Sequence, residues 1–177
     1  MKSKLISISA IATAFVAIFL TVGAYITSFA LFCLVVSSVF LLLPLQYGSY
    51  KATLLTYLSA GFVTLLLSGL NILSLVFPAY FGFFGIYPVF RCFASDKNFN
   101  KFYTYLIGLI WCIGAVYGIY FLYINLFSEM LSGLPLWLTN NLVLFVPVIS
   151  AVLYFIYDYS IVSMRRAVDV FLKRTIK

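Results

Sequence analysis

The chain has 177 residues, of which 65% are hydrophobic and only 8% carry a charge. A soluble domain carries about 25% charged residues, so this composition excludes a soluble globular protein and indicates an integral membrane protein. Because each spanning helix needs about 20 residues, the length suits a single membrane domain of about five to seven helices and no added soluble domain.

The residue types that most enzymes and metal sites need are scarce. The sequence has no histidine, which removes the commonest general base and metal ligand. Cys33, Cys92 and Cys112 are too far apart for a zinc or disulfide pattern, and we expect them to be small buried side chains. There is no P-loop motif for ATP. We therefore expect no enzyme, no catalytic residue, no cofactor and no metal.

Hydropathy and helix-breaking residues predict an all-α integral membrane protein with six transmembrane helices. The predicted spans are about 5–27, 29–45, 52–70, 72–90, 102–126 and 140–159. They form one predicted transmembrane domain over residues 1–160. Residues 161–177 are predicted to form a basic amphipathic helix on the cytoplasmic surface of the membrane.

All eleven cations fall on one side of this six-span arrangement, whereas five or seven spans would scatter them. They are Lys2, Lys4, Lys51, Arg91, Lys97, Lys101, Arg165, Arg166, Lys173, Arg174 and Lys177. Positive charge is retained on the cytoplasmic side, so both termini are predicted to be cytoplasmic in a multi-pass protein of the cell membrane. The net charge of +7 is explained by this pattern, and nucleic acid is not an expected partner.

The first span has a seam of small residues that recur at steps of four and three. The seam consists of Ser3, Ser7, Ala10, Ala14, Ala17, Thr21 and Ala24. Small side chains let helices approach closely, and two interpretations stay open. The seam packs inside the monomer, or its inner half, with Ala10 and Ala14, docks a partner subunit. A second close-packing pattern, Gly114-x-x-x-Gly118, is expected to pack inside the bundle.

A candidate ligand site is predicted at the outer side of the membrane. The loop between the fifth and sixth spans is apolar and contains Glu129, while Trp137 suits the interfacial aromatic belt. Asparagines collect at the same level, where they could line a pocket for a small polar molecule. The candidate ligand residues are Asn71, Asn125, Glu129, Trp137, Asn140 and Asn141. A solvated loop carboxylate is the alternative for Glu129.

The stretch 77–91 is apolar and aromatic, yet it contains two prolines and two glycines and ends at Arg91. Such breakers are tolerated in a membrane helix where neighbouring protein satisfies the released backbone groups. We expect Gly82 and Gly85 to share a face and to admit another backbone. Pro88 is expected to bend the helix just before it leaves the membrane, and Arg91 to mark the cytoplasmic surface.

Asp158 lies near the inner end of the sixth span. Intramembrane acids are costly and often functional, but Arg165 and Arg166 follow about two helical turns later. The sequence therefore favours local neutralisation of Asp158 by one of these arginines.

A six-span chain of this size with Ala10-x-x-x-Ala14 in its first span resembles the substrate-binding (S) subunits of energy-coupling-factor transporters. In that family the alanine motif contacts the T subunit, a membrane partner that carries two ATPase subunits. The resemblance therefore implies docking at Ala10 and Ala14, a ligand pocket near the outer surface and ATP-driven uptake of a small solute. Residues 84–91 (Phe-Gly-Ile-Tyr-Pro-Val-Phe-Arg) are similar to the Gly-Tyr-Tyr-Pro-Ile-x-Lys signature of S-subunit-like membrane proteins from Firmicutes.

A second resemblance gives the alternative function. MreD, a cell-shape membrane protein, has a similar size and a related six-span architecture. This resemblance implies a membrane scaffold that uses its helices as a docking platform and has no transported ligand.

Overall fold

A computed structural model describes the backbone of residues 2–47, 49–69, 74–126 and 136–175. Side chains are described over the same ranges except for Lys2, 123–145, Asp169 and 171–175. Within these ranges the chain is almost entirely helical and contains no strand. The helices are α1 (Lys2–Tyr25), α2 (Ala30–Gln46), α3 (Tyr50–Leu67), α4 (Val76–Ala79), α5 (Tyr87–Asp96), α6 (Lys101–Leu126) and α7 (Leu136–Thr175).

Six helical stretches in the described residues are long and apolar enough to cross a membrane. A short 3-10 turn, Thr27–Phe29, precedes α2. A π-helical turn, Tyr80–Phe84, joins α4 to α5, and these pieces together form one spanning stretch, Val76–Asp96. The predicted number of spanning helices is confirmed. The predicted sixth span and most of the predicted tail lie in one helix, α7, which has 40 residues.

Helices α1 and α3 run side by side in the same direction. The hydroxyl of Tyr25, at the end of α1, donates to the carbonyl of Leu67, the last residue of α3, over 3.3 Å. One to two turns earlier, Thr64 Oγ1 lies 3.5 Å from the carbonyl oxygen of Ala17. Both helices therefore begin at the same end of the bundle.

Polar contacts gather other helix ends at that same place. The hydroxyl of Tyr50, the first residue of α3, donates to the carboxylate of Asp96, the last residue of α5. Arg165 of α7 binds the other oxygen of Asp96 over 2.7 Å. Gln46, at the end of α2, donates to the backbone carbonyl of Arg165 over 3.1 Å. We call this end of the bundle the charged end and the other the opposite end.

The broken helix 76–96 lies at the centre of the bundle. Its side chains Tyr80, Phe83 and Tyr87 are almost completely buried. Tyr80 packs in an apolar cluster with residues of α1, α2 and α3. Phe83 and Tyr87 pack in a second cluster with residues of α6 and α7. The broken helix therefore joins the two halves of the core.

Candidate functional site at the charged end of the broken helix

The irregular turn at Tyr80–Phe84 lies before Pro88, and one backbone hydrogen bond defines it. The N–H of Gly85 donates to the carbonyl of Tyr80, five residues back, over 2.9 Å, which defines a single π turn. Pro88 then occupies the first turn of α5, where its missing N–H is tolerated. The break thus falls one turn before the bend that the sequence predicts at Pro88.

Pro88 leaves the carbonyl of Phe84 without its usual helical donor, because an α-helix would pair Phe84 with the N–H of residue 88. Two side chains replace that donor. The hydroxyls of Ser38 in α2 and Tyr157 in α7 each lie 2.8 Å from the Phe84 carbonyl oxygen. Ser38 and Tyr157 are themselves buried. A carbonyl released inside the protein is therefore satisfied from two neighbouring helices.

Two more carbonyls of the break receive donors from other helices. The Tyr57 hydroxyl in α3 donates to Phe81 over 3.0 Å. The indole N–H of Trp111 in α6 donates to Gly82 over 2.9 Å. Four helices, α2, α3, α6 and α7, thus supply donors to one irregular turn and fix its position in the bundle.

The two glycines of the break do not share a face, so that expectation is wrong. A Cβ added at Gly85 would overlap the ring of Tyr57 in α3. A Cβ added at Gly82 would meet the Cβ of Ala115 in α6 at 3.9 Å. The π turn changes the angular spacing of the residues that it contains, so the two glycines face different helices and different side chains.

A buried ion pair follows the break. Arg91 Nε donates to Asp158 Oδ1 over 2.7 Å, and only 12% and 6% of the two side chains are exposed. The hydroxyl of Tyr87 donates to the same carboxylate oxygen over 2.5 Å. The hydroxyl of Tyr154 lies 3.1 Å from that of Tyr87. The carboxylate is therefore both charge-paired and hydrogen-bonded, as a buried acid requires.

The predicted neutralisation of Asp158 by Arg165 or Arg166 is wrong. Arg91 neutralises it instead, and Arg165 pairs with Asp96. The reason is geometric. Residues on one helix are neighbours at three and four positions apart, whereas α5 packs beside α7 and presents Arg91 directly. Asp158 and Arg91 both lie near the predicted cytoplasmic end of a span. This shared depth in the membrane was the signal in the sequence that could have predicted their pairing.

Arg91 is also held from its other side. Its guanidinium carbon lies 4.9 Å from the centre of the Tyr105 ring in α6, and its Nη2 lies 3.3 Å from the Tyr105 hydroxyl oxygen. An arginine over an aromatic face gains cation–π attraction while it keeps donors for other partners. Arg91 thus links α5, α6 and α7.

A cavity of about 570 Å³ lies between α5, α6 and α7 at the charged end. Its polar lining residues include Arg91, Ser95, Asn98, Lys101, Tyr105, Arg165 and Arg166. A neighbouring cavity of about 550 Å³ shares Tyr105 and Arg166 and contains Asp158 in its wall. Two cavities with polar side chains in their walls therefore border the ion pair.

The predicted ligand residues all fall outside the described side chains. Asn71 and Glu129 fall outside the described residues altogether. For the other four, Asn125, Trp137, Asn140 and Asn141, only the helical backbone is described. The outer ligand site therefore stays a prediction.

The small-residue seam of α1 divides into two parts. Ala10 and Ala14 are exposed, whereas Ala17 is buried, with 3% of its surface exposed.

Gly114 and Gly118 of α6 are also exposed, and a Cβ added at either would meet no atom within 4 Å. Internal packing of the glycine pattern is therefore wrong within the described chain.

The three cysteines are buried, as the sequence predicts. Cys33, Cys92 and Cys112 all have buried side chains.

Comparison with known proteins found no similar protein. No protein-family model, no curated protein and no solved structure matches this chain.

Proposed function

We propose that this chain is a multi-pass protein of the cell membrane whose termini and charged end are cytoplasmic. The support comes from the cations. They lie at the start of α1, at Lys51 near the start of α3, from Arg91 in α5 to Lys101 at the start of α6, and from Arg165 in α7 to the last residue. The polar contacts around Asp96 and the parallel course of α1 and α3 bring those segments to one end, where positive charge favours the cytoplasm.

We propose further that the chain is the substrate-binding subunit of an ATP-driven uptake transporter of the energy-coupling-factor type. Its partners would be a T subunit and the ATPase subunits that the T subunit carries, since the sequence has no P-loop of its own. The transported molecule would be a small solute bound near the opposite end. Asn71, Asn125, Glu129, Trp137, Asn140 and Asn141 are the proposed contacts.

One observation supports this proposal more than any other. The seam of α1 is buried at Ala17 and partly buried at Thr21 and Ala24, but it is exposed at Ala10 and Ala14. Small side chains on an uncovered helix face allow a second helix to approach closely. The open half begins at the charged end, where a cytoplasmic ATPase assembly would be within reach.

Replacement of both alanines by leucine tests the docking proposal. The double variant Ala10→Leu, Ala14→Leu should lose co-purification with the T subunit and ATPases by about tenfold or more, because overpacking a close contact costs about 1–3 kcal/mol per site. The matched control is Ala10→Ser with Ala14→Ser, which keeps both side chains small. Ser59→Leu, on the exposed face of α3, controls for an added surface leucine.

Equal recovery of the partners with the leucine and serine variants would contradict docking through α1. A pull-down that returns only cell-wall or division proteins would favour the MreD-like scaffold instead.

A further inference from the structure

We propose that the cavity between α5, α6 and α7 binds an anionic phosphate group. The group would belong either to the headgroup of an anionic lipid or to a soluble phosphomonoester. This proposal does not depend on the transport proposal, because it concerns the charged end and a different set of residues.

The first argument is charge. Four cations line the cavity: Arg91, Lys101, Arg165 and Arg166. Two carboxylates balance two of them, since Asp158 pairs with Arg91 and Asp96 pairs with Arg165. Among the described side chains the cavity therefore keeps two positive charges in excess. A basic pocket between membrane helices is a recurring kind of site for acidic headgroups.

The second argument is preorganisation. Asp158 and the Tyr105 ring hold the Arg91 side chain in one position, and Asp96 orients Arg165. A binding site whose cations are already ordered loses less entropy when the anion arrives. An arginine has five N–H donors. Arg91 uses its Nε donor for Asp158, so other N–H groups of its guanidinium can donate to a phosphate oxygen.

The third argument is the wall formed by the turn between α5 and α6. Phe99 N–H donates to Ala94 over 2.9 Å and Asn98 N–H donates to Ser95 over 3.1 Å. With Asn98 at a φ of 53°, these bonds form a Schellman motif. The Phe99 ring also packs edge-on against Phe93, with 6.1 Å between ring centres. The backbone that presents Ser95, Asn98 and Lys101 is thus fixed before any ligand binds.

The fourth argument is the start of α6. Lys101 is the first residue of this 26-residue helix and lines the cavity. The amino end of a helix carries partial positive charge and favours phosphate. Phe102 and Tyr103 follow at once and are exposed by 68% and 61%. An anion at Lys101 would therefore have apolar surface beside it, which suits the acyl chains of a lipid.

The test removes the two lining cations that have no carboxylate partner among the described side chains. Lys101→Gln with Arg166→Gln is compared with Lys4→Gln and Lys51→Gln, which removes the same charge from exposed residues outside the cavity. Native mass spectrometry measures the retention of dioleoylphosphatidylglycerol and of zwitterionic dioleoylphosphatidylcholine. We expect about tenfold weaker phosphatidylglycerol binding in the cavity variant and little change in the control, because charge-assisted hydrogen bonds are lost only from the former.

A second arm distinguishes the source of the phosphate. Glycerol 3-phosphate is titrated calorimetrically into the protein in phosphatidylcholine nanodiscs. Selective phosphatidylglycerol retention without heat from glycerol 3-phosphate would assign the site to lipid, whereas saturable binding of glycerol 3-phosphate that the cavity variant weakens would assign it to a soluble phosphate. The proposal is overturned if neither probe distinguishes the cavity variant from the charge-matched control.

Ser95→Asp provides an independent variant. Ser95 is exposed and lines the cavity, so the substitution places a negative charge in the wall without disturbing the core. We expect the same loss of the phosphate probe as in the double glutamine variant. Undiminished binding would contradict the proposed location.

Discussion

The Arg91 and Asp96 side chains illustrate two different environments for charge within one helix, α5. Arg91 and its partner Asp158 are 12% and 6% exposed, whereas Asp96 and its partner Arg165 are 49% and 30% exposed. A buried charge has lost its hydration, so removal of its partner strongly destabilises the folded protein. An exposed pair is screened by water and contributes little. The same 2.7 Å contact distance therefore has different energetic consequences at the two sites.

Removal of each carboxylate should show this difference. Asp158→Ala should lower the free energy of unfolding by about 3–5 kcal/mol, because it leaves the Arg91 charge buried without its carboxylate partner. Asp96→Ala should lower it by less than about 1 kcal/mol. Both values are measured by denaturant titration in detergent micelles.

The double variant Arg91→Met, Asp158→Leu separates charge from shape in the same assay. It should recover most of the stability lost by Asp158→Ala, since no buried charge remains. If Asp158→Ala costs no more than Asp96→Ala, the burial argument fails.

At the scale of the element, the broken helix depends on donors supplied by its neighbours. The position of Pro88 is visible in the sequence, and so is the missing N–H. The identity of the replacement donors is not, because Ser38 and Tyr157 lie 46 and 73 residues away from Phe84 along the chain. A π turn and an α turn are also alike in composition, so only the packing around Tyr80 to Phe84 decides between them.

A double-mutant cycle tests whether Tyr157 replaces the donor that Pro88 lacks. Tyr157→Phe should cost about 1–2 kcal/mol of unfolding free energy, since it removes a buried donor to Phe84. In a Pro88→Ala background the new N–H at residue 88 can bond to that carbonyl, so the cost should fall by about 1 kcal/mol.

Ser150→Ala is the control for this cycle. Ser150 is buried in the same helix as Tyr157 and its hydroxyl donates to Val146, away from the break. Its cost should be the same in the native chain as in the Pro88→Ala background. Equal costs of Tyr157→Phe in both backgrounds would show that the two residues act independently.

At the scale of the whole molecule, hydropathy and the positions of the charges were the features of the sequence that predicted most of the fold. The six apolar helices could be predicted because the hydropathy of each helix depends only on its own residues. The pairing of Asp158 did not follow, because a position on α7 says nothing about which face of α5 lies beside it. The outer ligand site falls outside the described side chains, and its residues stay a prediction.

The proposed orientation is tested by labelling single introduced cysteines. Cys33, Cys92 and Cys112 are buried, so the native chain should give little background with a membrane-impermeant maleimide. Ser28→Cys, at the opposite end, should react in intact cells. Lys97→Cys, at the charged end, should react only after permeabilisation. Reaction of both cysteines in intact cells would contradict the proposed topology.

The length of α7 has a mechanical consequence. Its 40 residues extend for roughly 60 Å at 1.5 Å per residue, about twice the thickness of a bilayer's hydrocarbon core. A helix this long would reach well beyond a bilayer that it crosses, while Tyr157 and Asp158 remain bonded to the broken helix. A torque applied to its projecting part would therefore act as on a lever, and the fulcrum would be the contacts that hold Phe84 and Arg91.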